Sequence, residues 1–369
     1  MKKVYIEAYL FKNLGDDLFV KIITERYKNV EFYAQTREHY KRNTFSNNLK
    51  LYSNIGIGII NKLYEKLFNK YNYIGKRLKN KCDYMVSIGG SIFMEKDNFS
   101  KVERQFSIYD NTKPLYILGS NFGPYKTQKY KDYVKNILSN AQDVSFRDEK
   151  SYNAFKELKN VRYNSDIVFG LNIDNIEIKD NNNVVISVIE CNLKGLSKEK
   201  NEYENLVLEL IKLFISKGYN VTLMSFCKKQ GDEKVIKSLY KRCSPTERKH
   251  IEKFYYRGNI NEALEKIAQS KIVIGSRFHA NIIGLLMKKK VIPIAYSDKT
   301  INVLKDIEFK GNIIDIRDIK KFNIDELEID KLETILNLDS HINSAKKQFE
   351  KLDEVLYYNK GENINEEEE

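Results

Sequence analysis

The chain has 369 residues, 42% of them apolar, with 63 Lys and Arg against 51 Asp and Glu and a net charge of +12. This excludes a disordered chain, and the length predicts two domains at about 150 residues each. The basic balance suits an acidic metabolite or an anionic surface, while no helix-turn-helix, RRM or zinc-finger pattern points to nucleic acid.

In chain order, the first strand is expected at 2–10, followed by "NLGDDL" (13–18), where Gly15 allows a tight turn and Asp16 or Asp17 caps a helix over 16–28. Asp16 is also placed to take a proton from a hydroxyl. Glu7 and Asp16 interrupt any apolar leader, so no signal peptide is expected. A strand at 30–34 precedes a strongly basic region: Arg37–Lys81 holds eleven basic and two acidic residues. Within it, Ile55, Ile59, Leu63, Leu67, Tyr71, Ile74 and Leu78 recur at helical spacing and predict one amphipathic helix over 54–80. Its interspersed Lys62, Lys66, Lys70, Lys76 and Arg77 admit two readings: a solvated face above a stripe packed on the sheet, or a peripheral contact of 54–78 with an anionic membrane.

Strands at 84–90, 114–120 and 143–148 each end in polar residues. The first runs into "IGGSIFME", where Gly89 and Gly90 allow close approach to the backbone and Ser91 offers a hydroxyl. The second runs into "GSNFGPYK", with Asn121 and Gly123, and the third into "SFRDEKS". There Arg147 either pairs with Asp148 or faces a ligand as a planar fork for carboxylate or phosphate. Helices are expected over 127–142 and 148–159.

The Asn-rich stretch 173–183 supports no packed element and marks a boundary. Beyond it, strands at 184–189, 219–227, 254–258, 271–276 and 291–296 alternate with helices at 200–217, 231–242, 261–270 and 280–290. Alternation of this kind builds parallel sheets from βαβ units, and such sheets bind ligands at their strands' carboxyl ends. The strand at 271–276 ends in Gly275 and Ser276, then Arg277, Phe278 and His279 at a helix start, where backbone N–H groups attract anions. "IPIAYSDK" adds Lys299 as a third cation. Arg277 is expected at the cleft surface, so that its removal would leave folding almost unchanged. A last helix is expected at 338–358, and the acidic end Glu366–Glu369 reads as solvated. The predicted layout is an N-terminal domain 1–175, a C-terminal domain 180–335, and a helix with acidic tail 336–369. Cys82, Cys191, Cys227 and Cys243 form no CxxC pair, which fits a reducing cytoplasm. No carboxylate cluster suggests a metal, and no run of about 18 apolar residues spans a membrane.

Taken in order, "NLGDDL", "IGGSIF", "LGSNFGP", "VSFRDEKS", "SDIVFGL" (165–171), "GSRFHA" and "PIAYSDK" resemble the motifs of the polysaccharide pyruvyl transferases over roughly residues 4–305. The resemblance implies a GT-B-like pair of Rossmann-like domains with an interdomain cleft, the N-terminal domain taking the acceptor and the C-terminal domain the donor. It implies phosphoenolpyruvate as donor substrate, no cofactor, and a pyruvate ketal formed on the sugar of a polysaccharide or lipid-linked oligosaccharide. Carried over, Arg147 and Arg277 hold the donor's phosphate and carboxylate; Ser276 and Lys299, read from the strand ends themselves, are further donor-binding candidates. His279 acts next to the donor as acid, and Phe278 offers backbone contacts only. Asp16 is the candidate base. Residues 36–81 match none of the motifs, and acceptor choice is expected there. Capsule or exopolysaccharide assembly, in the cytoplasm or at the inner membrane face, is the implied setting. Two other readings stay open: a GT-B nucleotide-sugar glycosyltransferase, opposed by the absence of Asp and Glu between Asn281 and Ser297, and a non-enzymatic binding protein.

Overall fold

The computed structural model describes residues 1–53, 56–68, 71–327, 329, 332 and 337–357. Lys70 and the acidic end Glu366–Glu369 lie outside the described residues, as does Ile55 of the predicted stripe.

Two parallel sheets lie in tandem. The N-terminal sheet contains β1 (Lys3–Glu7), β2 (Glu31–Thr36), β3 (Leu49–Ser53), β4 (Tyr84–Ile88), β5 (Leu115–Ser120), β6 (Asp143–Phe146) and β7 (Val161–Tyr163), in the order β3-β2-β1-β4-β5-β6-β7. Its helices are α1 (Leu14–Arg26), α2 (Gly56–Phe68), α3 (Tyr73–Asn80), α4 (Phe99–Phe106), α5 (Gln128–Ser139) and α6 (Glu149–Asn153). The second sheet contains β8 (Asn183–Ser187), β9 (Asn220–Ser225), β10 (Ile251–Tyr255), β11 (Ile272–Gly275), β12 (Lys290–Ala295) and β13 (Ile314–Asp315), in the order β10-β9-β8-β11-β12-β13. Its helices are α7 (Lys200–Ser216), α8 (Asp232–Arg242), α9 (Pro245–Arg248), α10 (Ile260–Ala268), α11 (Phe278–Leu286) and α12 (Asp298–Asp306). The chain closes with α13 (Asp339–Lys347) and α14 (Glu350–Leu356).

The inner strands read as nearly continuous apolar runs because helices cover both faces; β5 and β11 are buried at every position. In each sheet the crossovers run one way and then reverse. The reversal falls between β1 and β4 in the first sheet and between β8 and β11 in the second. Loops diverge at such points and leave a crevice at the carboxyl ends. The segments after β1, β4 and β11 are the ones whose glycines and charges stood out in the sequence.

The two domains share apolar packing. Leu18 and Phe19 of α1 belong to one cluster with Ile260 and Leu264 of α10 and Ile283 of α11. Leu14 N–H donates to the Phe226 carbonyl at 3.0 Å. At the chain's end, α13 and α14 return to the N-terminal domain. Asp353 accepts from Arg26 Nε and Nη2 at 3.0 and 2.6 Å and from the Tyr27 hydroxyl at 2.7 Å. Buried Gln348 accepts from Gly119 N–H at 3.0 Å and donates to the Ser165 carbonyl at 2.9 Å.

Several predicted elements differ. The helix expected over 54–80 is two, α2 and α3. The second half of the stripe packs as expected, with Leu78 buried in the core under the sheet, but Ile59, Leu63 and Leu67 are exposed. The helix expected over 148–159 ends at Asn153, because the chain must turn to pair Val161 with Val144 as β7. The strand expected at 254–258 runs over Ile251–Tyr255, in register with Val221–Ser225. The predicted helix 338–358 is broken between Lys347 and Glu350, where Gln348 turns inward to its four backbone partners.

Candidate active site

The site forms where α1, the loops after β4, β5 and β6, and the start of α11 meet. Asn13, not either aspartate, caps α1: its side chain accepts from Gly15 N–H at 3.3 Å. Asp17 is fully buried instead, accepting from the Tyr40 hydroxyl at 2.8 Å and, across the domains, from the Tyr256 hydroxyl at 2.6 Å. Burial raises the Asp17 carboxyl to about 8 although both hydroxyls oppose the shift. Asp16 makes no hydrogen bond or ion pair among the described residues. Burial lifts it to about 6 against the pull of Lys299, Arg147, Arg277 and Lys194. A carboxylate poised there is suited to accept a proton near neutral pH.

Glycine is required where the backbone passes these side chains. A Cβ on Gly15 would lie 2.0 Å from His279 Nδ1, and one on Gly90 would lie 2.2 Å from Arg147 Nη2. Gly89, at φ +152°, passes beside Asp16.

Arg147 is buried and pairs with Asp166, not with Asp148: Nη1 donates to Asp166 Oδ2 at 2.6 Å, and Nη2 to Asn121 Oδ1 at 2.8 Å. Asp148 caps α6, accepting from Ser151 N–H at 2.8 Å. Burial alone would raise Asp166, yet Arg147 and the nearby His279 hold it well below the usual carboxylate range. His279 Nε2 stands 3.8 Å from Asp166 Oδ2. Burial pushes the imidazole below its ordinary value, with Arg147 and Lys299 adding to that and Asp166 opposing.

Arg277 is also buried, contrary to its expected place at the cleft surface. Nη2 is ion-paired with fully buried Asp232, and Nη1 donates to Gln230 Oε1 at 2.5 Å. Asp232 in turn accepts from Phe226 and Cys227 N–H at 2.8 and 2.9 Å. Lys194 donates to the same Gln230 oxygen at 2.8 Å; burial and Arg277 lower it to about 8. Lys299 has no hydrogen bond or ion pair among the described residues. Its ammonium lies 4.6 Å from the centre of the Phe278 ring, whose distance from the Arg147 guanidinium is 5.4 Å. Burial and Arg147 push Lys299 well below its ordinary range.

The structure thus brings together Asp16, Gly89, Gly90, Asn121, Arg147, Arg277, Phe278, His279 and Lys299. Phe278 contributes its ring, flanked by two cations, and not backbone alone. Ser276 is buried, and its hydroxyl accepts from Tyr203 at 2.8 Å. Ser91 stands exposed at the rim, 3.4 Å from Asn121 Oδ1, and Gly123, at φ +94°, shapes the loop that presents Asn121. Sequence reasoning missed Asp166, Lys194, Gln230 and Asp232. Asp166 lay within a quoted motif, but the others carry no local signal. Among the described residues no three His, Cys, Asp or Glu side chains are grouped to hold a metal ion. Among the described residues three buried side-chain nitrogens make no hydrogen bond: Arg147 Nε, Arg277 Nε and His279 Nε2. Buried donors are rarely left so; Arg147 and His279 lie beside Asp166, and Arg277 beside Asp232.

The family model for polysaccharide pyruvyl transferase matches residues 13–298. The chain belongs to the polysaccharide pyruvyl transferase family. The matched span runs from the Asn13 cap of α1 to the start of α12 and so takes in Arg147, Arg277 and His279. The amylovoran biosynthesis protein AmsJ of Erwinia amylovora is 21% identical over 262 residues, which cover 64% of this chain and 62% of AmsJ. Less than two thirds of that relative's length is therefore matched. Two UDP-GlcNAc 2-epimerases share the fold. The Neisseria meningitidis structure bound to UDP-GlcNAc has a TM-score of 0.56 at 11% identity, covering 95% of this chain and 99% of its own. The Methanocaldococcus jannaschii structure with UDP-GlcNAc and UDP has a TM-score of 0.55 at 10% identity, covering 97% and 100%. The architecture is GT-B-like: two Rossmann-like domains in tandem. Among the described residues no helix is long and apolar enough to cross a membrane.

Proposed function

We propose that this family member transfers the pyruvyl group of phosphoenolpyruvate to hydroxyls of a sugar in polysaccharide assembly, forming a pyruvate ketal. The observation that carries the reading is the group of unpartnered buried donors, Arg147 Nε, Arg277 Nε and His279 Nε2, beside the unpaired Lys299. Both arginines are already neutralised by Asp166 and Asp232, so the surplus positive charge lies on Lys194 and Lys299. A small donor carrying both phosphate and carboxylate matches that surplus.

In the proposed reaction, His279, protonated once the anion is bound, gives its proton to C3 of the donor. The double-bond electrons form the new C–H bond and leave C2 electron-deficient. A sugar hydroxyl adds to C2 and passes its proton to Asp16. The C2–O bond to phosphate then breaks, the departing phosphate keeps the electron pair, and the cations offset its charge. A second hydroxyl closes the ketal and releases its own proton. The acceptor gains one pyruvate less one water.

The fold also suits a nucleotide-sugar donor, since the structural neighbours are described with UDP-GlcNAc. Against it, the stretch from Asn281 to Ser297 has no carboxylate for ribose hydroxyls. Thermal unfolding separates the two. Phosphoenolpyruvate should raise Tm, UDP-sugars should not, and phosphate release should require an acceptor glycan. Stabilisation by a UDP-sugar alone would overturn the proposal.

A further inference from the structure

Helix α2 is built the wrong way round for a water-facing helix. Asn61, Tyr64 and Glu65 contact the rest of the protein. Asn61 accepts from Ile74 N–H at 3.0 Å, Glu65 pairs with Arg104 at 2.5 Å, and Tyr64 stacks on Tyr73 with ring centres 4.0 Å apart. Ile59, Ile60, Leu63, Leu67 and Phe68 face outward, each 44–67% exposed. Ile59, Leu63 and Leu67 follow one another at four-residue steps and so form one continuous ridge. A surface helix ordinarily turns such a stripe to the core, and exposed patches of this kind mark interaction sites.

Charge identifies the partner. Lys62 and Lys66, both exposed, lie one step round the helix from the ridge. The guanidinium of exposed Arg37 lies against Gly58, 3.3 Å from where a Cβ would stand. The helix's one acid, Glu65, is taken up by Arg104. The face is therefore apolar at its centre and cationic at its edge. A two-fold contact with a second copy would bring lysines toward lysines with no acid to offset them. An anionic bilayer surface takes both features: the ridge enters the headgroup boundary and the lysines meet lipid phosphates. We infer that α2 docks this protein on an anionic membrane surface. The helix begins at Gly56, shortly after β3 ends at Ser53, on the side where the strands' carboxyl ends open. Docking there would set the rim of the cleft near the bilayer, within reach of an acceptor held in the membrane. The inference does not depend on which donor the cleft takes.

The test is sedimentation of the full chain with vesicles of phosphatidylglycerol and phosphatidylcholine, against phosphatidylcholine alone. Expected is binding to the anionic vesicles at low salt, weakened at least roughly ten-fold at high salt or by Lys62→Glu with Lys66→Glu. Leu63→Ser with Leu67→Ser should weaken it similarly while Tm holds, since both leucines are exposed. Wild-type protein that ignores anionic vesicles at low ionic strength overturns the inference. So does binding that survives the leucine substitutions, which would make it diffuse charge attraction. A wild-type dimer by ultracentrifugation that the leucine substitutions dissociate, without vesicle binding, would assign the ridge to a second copy instead.

Discussion

Replacing Gly15 by alanine sets local helix preference against the site. Gly15 lies in the first turn of α1, where alanine favours the helix by about 1 kcal/mol. The added Cβ would meet three atoms of one ring: His279 Nδ1 at 2.0 Å, Cε1 at 2.7 Å and Cγ at 2.9 Å. The closest of these must open to the ~3.4 Å of ordinary contact, so the imidazole has to move by more than an ångström. It cannot simply slide aside, because the Phe19 and Phe278 rings stand 5.4 and 5.0 Å from it, centre to centre. The displacement changes its 3.8 Å approach to Asp166. A misplacement of about 1 Å can cost on the order of 10²-fold in rate, or about 2.7 kcal/mol of transition-state stabilisation. Gly15→Ala should therefore keep Tm within a few degrees of wild type while kcat/KM for phosphate release falls about 10²-fold. In a His279→Ala background the alanine has no ring to displace, and its kinetic penalty should vanish. Wild-type turnover of Gly15→Ala, or an equal penalty in both backgrounds, would refute the reasoning.

Four further outcomes follow from the same geometry. Arg277→Ala should cost stability as well as activity, about 3–5 kcal/mol by denaturant unfolding, because it strands fully buried Asp232; an unchanged midpoint would show the pair is not structural. His279→Gln should cut turnover about 10²–10⁴-fold while phosphoenolpyruvate still binds, and calorimetry in two buffers should detect proton uptake on donor binding near pH 7, since the imidazole starts below its ordinary value; absence of uptake would remove it as the acid. Asp17, raised by burial from 3.8 to about 8, contributes stability that is full below its unfolded pKa and lost as pH rises through about 8, so Asp17→Asn should flatten stability across that window, and an unchanged slope would relocate the titrating group. The pH profile of kcat/KM should fall below about 6 as Asp16 protonates and above about 8 as Lys194 loses its charge, and Lys194→Gln should remove the upper limb.

The strand-end residues were legible because a parallel sheet forces its chemistry to one edge. An Arg or His directly after a buried β-branched run has few structural uses, and Arg147, Arg277 and His279 all proved to share one cleft. Their partners were not legible. Asp166 meets Arg147 from 19 residues on, and Asp232 meets Arg277 from 45 residues back, through pairings that only the closed fold creates. Arg277 was expected free for that reason: the sequence displays the cation, whereas its burial depends on the α8 start arriving from across the sheet. Edge strands failed differently. β3 carries its Leu49 and Leu51 alternation inside a strongly basic region, and β13 has two residues, too short for any period to show.

The charge arrangement explains how the cleft can hold so many cations. Arg147 and Arg277 cannot shed their protons, and each is met by a buried carboxylate with further hydrogen bonds, Asp166 from the Val168 N–H and Asp232 from two backbone N–H groups. Among the described residues Lys194 and Lys299 have no such carboxylate. They are the cations whose protons the surroundings loosen, so the fold tolerates them by weakening their charge. In the proposed reaction an arriving dianion would reverse that bias: it would favour the charged lysines and the charged imidazole together, and His279 would take up from solvent the proton that it is to donate. In that reaction His279 is neutral once C3 has its proton, and the lysines would return toward neutrality when phosphate departs with its charge.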